Sequence, residues 1–173
     1  MERLRQHVGP ELVWKRVRSE KRACGLYAGD APLGLLRREK AFGTLARAEA
    51  AEGAWTFKRV GCFHPRITVR EAGAETEVAV LTVGLCGGGQ LTTAGGGSYR
   101  WVARGFWRPR WLFLDAAGAP LAEFRGGGWR GRVTLAAAAR RLPELSLLVL
   151  LGWYCIQLAE EDAMVMAATV VAT

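Results

Sequence analysis

The run Pro143-Glu144-Leu145-Ser146-Leu147-Leu148-Val149-Leu150-Leu151-Gly152-Trp153-Tyr154-Cys155-Ile156-Gln157-Leu158-Ala159 decides the architecture. Proline suits the first position of a helix, and Glu144 behind it complements the positive end of the helix dipole. The residues that follow leave no polar face at any angle around the axis, so something apolar must surround them. Two environments can do so. A bilayer span needs about 18–20 uncharged residues. The uncharged stretch Leu145–Ala159 stops after fifteen residues, at Glu160-Glu161-Asp162, and contains Gln157. A protein shell is the other environment. From Pro143 to Ala159 a helix is about 26 Å long, which matches a strand of roughly seven to eight residues. The reading that fits is a core helix over about 143–160 threaded through a shell of strands, with a membrane anchor as the alternative. Residues 163–173 are small and apolar, and their conformation stays open.

Upstream, the chain from about 11 to 136 supplies such a shell. Short apolar–polar runs alternate with turn residues. Leu12–Val17 comes first; then Ala23–Tyr27 and Leu33–Leu36 flank Gly29-Asp30-Ala31-Pro32. Thr44–Ala50 has helix-forming composition but strand neighbours, and is read as a strand. Trp55–Val60, Ile67–Arg70, Val78–Val83, Gln90–Thr93, Tyr99–Ala103, Trp111–Leu114, Leu121–Phe124 and Gly131–Leu135 complete the series. No helix long enough for a parallel crossover lies between them. The expectation is one domain over 1–173: a mostly β, twelve-stranded antiparallel closed barrel enclosing a central hydrophobic C-terminal helix.

This order of motifs resembles the superfamily of the tubby C-terminal domain, the LURP-one-related proteins and the phospholipid scramblases, in particular its bacterial members. The resemblance is carried by Trp55–Gly61, Pro65–Arg70, Tyr99-Arg100-Trp101, Phe106-Trp107, Trp111–Gly118 and the final run from Pro143 to Tyr154. It implies the same barrel around a helix, and a basic surface that binds anionic phospholipid headgroups. The cysteine-rich palmitoylation run and the acidic calcium loop of the scramblases have no counterpart here, so lipid transport does not carry over.

The charge agrees with an anionic partner. Lysine and arginine number 24 against 16 acidic residues, and 20 of the 24 are arginine. Net charge falls along the chain, from +8 over residues 1–70 to +4 over 71–141 and −4 over 142–173. Basic surfaces are drawn to phosphate. The densest basic-aromatic stretch is Arg100–Trp111, in which Arg100, Arg104, Arg108 and Arg110 are candidates for headgroup contact, and Phe106 and Trp107 for the membrane interface. Lys58, Arg59, Arg66 and Arg70 form a second candidate group. The bland alternative is aromatic core beside solvated arginines. A protein-interaction scaffold without a small ligand fits the same sequence. Nucleic acid is a weaker candidate partner, because no recognised binding motif is present.

Nothing points to catalysis, a metal or a cofactor. Cys24, Cys62, Cys86 and Cys155 form no C-x-x-C pair. Cys62 and His64 would share a strand face, where a thiolate–imidazole pair is conceivable. No third orienting group is apparent, and the two read more simply as a buried thiol beside a surface imidazole. Gly87-Gly88-Gly89, Gly95-Gly96-Gly97 and Gly126-Gly127-Gly128 do not fit a phosphate-binding loop and read as hairpin turns. The charged start, Met1–Gln6, is not followed by an apolar core. A cytoplasmic protein, peripheral to the membrane, is the expected setting.

Overall fold

The computed structural model describes residues 1–7, 9, 11–40, 43–61, 64–84, 87–105 and 109–171. Twelve strands run in chain order: β1 (Leu12–Arg16), β2 (Ala23–Ala28), β3 (Ala31–Arg38), β4 (Ala46–Ala50), β5 (Gly53–Val60), β6 (Arg66–Glu71), β7 (Glu77–Val83), β8 (Gly89–Thr93), β9 (Ser98–Arg104), β10 (Arg110–Leu114), β11 (Pro120–Gly127) and β12 (Arg130–Leu135). Each pairs antiparallel with its sequence neighbours, and β1 closes the ring on β12 through Leu12↔Val133 and Trp14↔Gly131. Closure leaves no free sheet edge. The expected barrel is therefore present, and the ambiguous Ala46–Ala50 segment is one of its strands, paired on both sides.

One helix, α1 (Leu145–Val171, 27 residues), runs through the barrel. It begins just after Pro143 and Glu144, which precede it in a turn, and the Glu144 carbonyl accepts the first helical bond, from Leu148 N (2.9 Å). It also continues well past residue 160, so the segment left open by the sequence is helical as far as Val171. Every residue from Leu145 to Leu158 is buried. The barrel supplies their surroundings from the inward positions of its strands, among them Leu26, Leu36, Phe57, Leu81, Trp101, Phe113, Phe124 and Val133.

Aromatic rings and missing side chains fit helix to wall. Trp153 of α1 stacks on Trp14 of β1, with centroids 5.2 Å apart and planes 8° from parallel. Opposite Trp14 in the ladder stands Gly131, where a Cβ would lie 2.2 Å from the Trp153 ring. At Gly152 a Cβ would lie 2.5 Å from the Phe124 ring. These glycines are therefore clearances for indole and phenyl groups. A short 3-10 turn at Leu4–His7 and another at Ala137–Arg141 lie at the end where α1 enters. There Glu52 accepts from Leu4 N (3.1 Å) and Ser146 Oγ (2.8 Å), and Glu144 accepts from Tyr99 OH (3.0 Å). Burial, helped by the Glu144 carboxylate, pushes the Tyr99 phenol up to about 12.

The close helix–wall fit predicts that Gly152→Val lowers the free energy of unfolding by about 1–3 kcal/mol through overpacking. The measurement is a urea titration. A fallen midpoint at unchanged slope is expected, whereas an unmoved midpoint would mean that α1 does not seat against Phe124.

Candidate functional site

The strand directions give the barrel two different ends. β12 runs toward the end where α1 enters, so α1 leaves at the end where β1, β3, β5, β7, β9 and β11 finish. That exit mouth is strongly basic. It carries Arg16, Arg18, Lys21, Arg22, Arg37, Arg38, Lys40, Arg59, Arg66, Arg104, Arg110, Arg125 and Arg130, with Glu20 and Glu39 among its acids and Glu123 of β11 paired to Arg110 and Arg125. The entry end holds Glu2, Glu11, Asp30, Glu52, Glu71, Glu75, Glu77, Asp115 and Glu144 beside Arg3, Arg5, Arg70, Arg100, Arg140 and Arg141, so acids outnumber bases there.

At the mouth, burial of α1 ends in a collar of paired charge. Glu160 accepts from Gly128 N in the β11–β12 turn. Glu161 meets Arg38 of β3 at 3.0 Å. Asp162 takes a two-pronged contact from Arg59 of β5, at 2.6 and 3.0 Å. Arg38 and Arg59 occupy inward-facing positions two residues beyond the core residues Leu36 and Phe57, so the strand pleat turns both into the mouth. Arg38 is 6% exposed, donates to Gly43 O (2.7 Å) and lies 5.6 Å over the Tyr154 ring. Its Nε and Nη1 are buried without a hydrogen-bond partner among the described residues. The hydrogen bonds to Asp162 push the Arg59 guanidinium further up from its ordinary value. The acidic triplet thus anchors the helix to β3, β5 and the β11–β12 turn and holds its own negative charge inside the rim.

Beside the collar, an open groove of about 1600 Å³ lies on β1, β10, β11 and β12. Lys15, Arg16, Arg18, Arg110, Arg125, Arg130 and Arg132 line it, together with Trp129 and Glu160. Arg110 and Arg125 share Glu123 (3.6 and 2.8 Å), and Arg132 meets Glu11 (3.2 Å). Arg16 stacks over Trp129 at 5.2 Å. Arg16, Arg18 and Arg130 have no carboxylate partner among the described residues. Trp129 is 38% exposed, as befits an indole with one wet face.

The residues selected from sequence are divided by this geometry. Arg110 lies in the groove and faces Arg104 across the β9–β10 ladder. Lys58 and Arg66 lie in the exit half of β5 and β6, and Arg59 turns inward to the collar. Arg70 belongs to the other end, tied to Glu75 (2.9 Å) and Glu77 (3.7 Å). Arg100 also sits toward that end, opposite Leu114 and against the Gly118 turn. The candidates therefore do not form one patch. Phe106, Trp107, Arg108 and Cys62 lie outside the described residues. Sequence reasoning passed over Arg16, Arg18, Trp129 and Arg130, which come from two segments, the β1–β2 and β11–β12 junctions, and meet only through barrel closure. It also passed over Arg38, although an arginine at an inward register position was a readable signal.

The thiols of Cys24 and Cys155 are buried, and desolvation pushes both up from their ordinary values, away from the thiolate. Among the described residues no group of three His, Cys, Asp or Glu side chains is placed to hold a metal ion. No family model, curated protein or solved structure matches the chain.

The collar is asymmetric, and that asymmetry is measurable. Removing the acid with Glu161→Leu strands a buried guanidinium, at a cost on the order of 2 kcal/mol. Removing the base with Arg38→Leu frees a carboxylate that is already 44% exposed. Chemical denaturation should show the larger loss for Glu161→Leu. Equal losses, or the reverse order, would contradict the buried-charge account.

Proposed function

We propose that this chain is a non-enzymatic binding barrel whose basic mouth rests on an anionic membrane surface and takes phosphate-bearing lipid headgroups. The separation of charge along the barrel axis carries this reading. Arginines from separate strands and turns converge on one end, while the acids of α1 at that end are held in the collar. The arginine fork suits phosphate oxygens. Each basic residue near an anionic leaflet contributes about 1 kcal/mol, screened by salt. Trp129 beside Arg16 has the amphipathic character favoured at headgroup depth. The proposal is of surface attachment. Among the described residues no helix is long and apolar enough to cross a membrane. The resemblance to tubby-type domains supports the same reading.

Sedimentation with phosphatidylcholine vesicles, with and without phosphatidylserine or phosphoinositide, tests it. Binding that needs the anionic lipid and weakens with salt is expected. Arg18→Glu combined with Arg130→Glu should lower the affinity at least about tenfold. Arg100→Glu, toward the other end, should leave it nearly unchanged. Equal recovery in the supernatant with every vesicle, alongside a positive gel shift with single-stranded DNA, would replace the lipid reading with a nucleic-acid one.

A further inference from the structure

α1 does not stop at the collar. It continues as a helix to Val171, and residues 162–169 are exposed. Met164, Val165 and Met166 are 65%, 67% and 69% exposed. An exposed helix normally shows a polar face. Residues 163–171 contain no charge, and the one polar side chain among them, Thr169, hydrogen-bonds Val165 O (3.0 Å) within its own helix. Three adjacent large apolar side chains in water on a protruding helix ask for an apolar environment.

The surroundings state which one. The collar holds α1 from both sides of the mouth, at β3 and β5 and at the β11–β12 turn, so the apolar tip leaves inside the arginine rim. An apolar peg ringed by cations complements an anionic leaflet: phosphates meet the rim, and acyl chains meet the peg. A protein groove would match the peg but gives no reason for the ring. Residues 163–171 rise about 13 Å, less than half of a hydrocarbon core about 30 Å thick. Residues 163–171 thus match the depth of one leaflet. Pairing of Glu161 with Arg38 and of Asp162 with Arg59, and the bond from Gly128 N to Glu160, offset the negative charge at the base of the peg.

We infer that Met164–Met166 insert into the headgroup–acyl boundary of an anionic leaflet while the arginine rim holds its phosphates. This inference rests on the proposed headgroup reading, and the following test separates the two. Met166→Cys, in a Cys62→Ser/Cys86→Ser background, carries an environment-sensitive fluorophore on the full chain. It is mixed with phosphatidylcholine vesicles with or without phosphatidylserine, and sedimentation is read from the same samples. The expected result is a blue-shifted, brighter emission on the anionic vesicles, quenched by lipids labelled near the headgroup. Met164→Asp combined with Met166→Asp should weaken vesicle binding at least about tenfold, with unchanged thermal unfolding because both side chains are exposed. Sedimentation with unshifted emission would overturn the peg and leave the headgroup reading standing. A shift of equal size on neutral vesicles would keep the peg and remove the headgroup reading. No binding to either vesicle would remove both. A shift in vesicle-free buffer that grows with protein concentration would overturn the peg in favour of self-association.

Discussion

A helix without a polar face cannot stand in water, and the rest of this molecule follows from that constraint. Leu145 to Leu158 are enclosed on all sides, and the enclosing wall has to close because an open sheet would leave one flank of the helix wet. A meander of twelve strands, each paired with its sequence neighbours, closes with the simplest connections available. The fit is finished by removing atoms as well as by adding them: Gly131 and Gly152 give up side chains so that Trp153 and Phe124 can sit against the opposing backbone.

The same constraint organises the charge. Burial ends at Glu160-Glu161-Asp162, so the strands must present cations or backbone donors where α1 emerges. Arg38, Arg59 and the Gly128 amide do this. The helix therefore fixes one end of the barrel as the place where arginine faces inward. The turns at that end add Arg18, Lys21, Arg22 and Lys40 to the outside, and the start of β12 adds Arg130. Structural pairing and proposed headgroup binding thus occupy neighbouring zones of one mouth. The inner ring is neutralised by the helix, and in the outer groove Arg16, Arg18 and Arg130 lack a carboxylate partner among the described residues.

The fold was more legible in the sequence than the site, for physical reasons. Strand alternation and an all-apolar run are local signals, readable over a few residues; Ala46–Ala50 was settled only by pairing on both sides. The end of α1 was not readable because residues 163–171 have no side chain that marks a helix stop. The groove was illegible because its residues come from β1, β10, β11, β12 and their turns, and closure alone joins the two ends of the chain. The stretch Arg100–Trp111 looked like a single patch because its cations are near in sequence. A strand carries residues four apart about 13 Å along the barrel, so Arg100 and Arg104 lie toward different ends.

Native-state hydrogen exchange on the full chain in membrane-free buffer measures the enclosure itself. Amides of residues 149–158 should exchange only through global unfolding, as slowly as the most protected strand amides. Amides of residues 164–171, beyond the collar, should exchange orders of magnitude faster within the same continuous helix. Exchange of residues 149–158 as fast as that of the tip would show that the strands do not enclose the helix, and the account of both fold and mouth would be wrong.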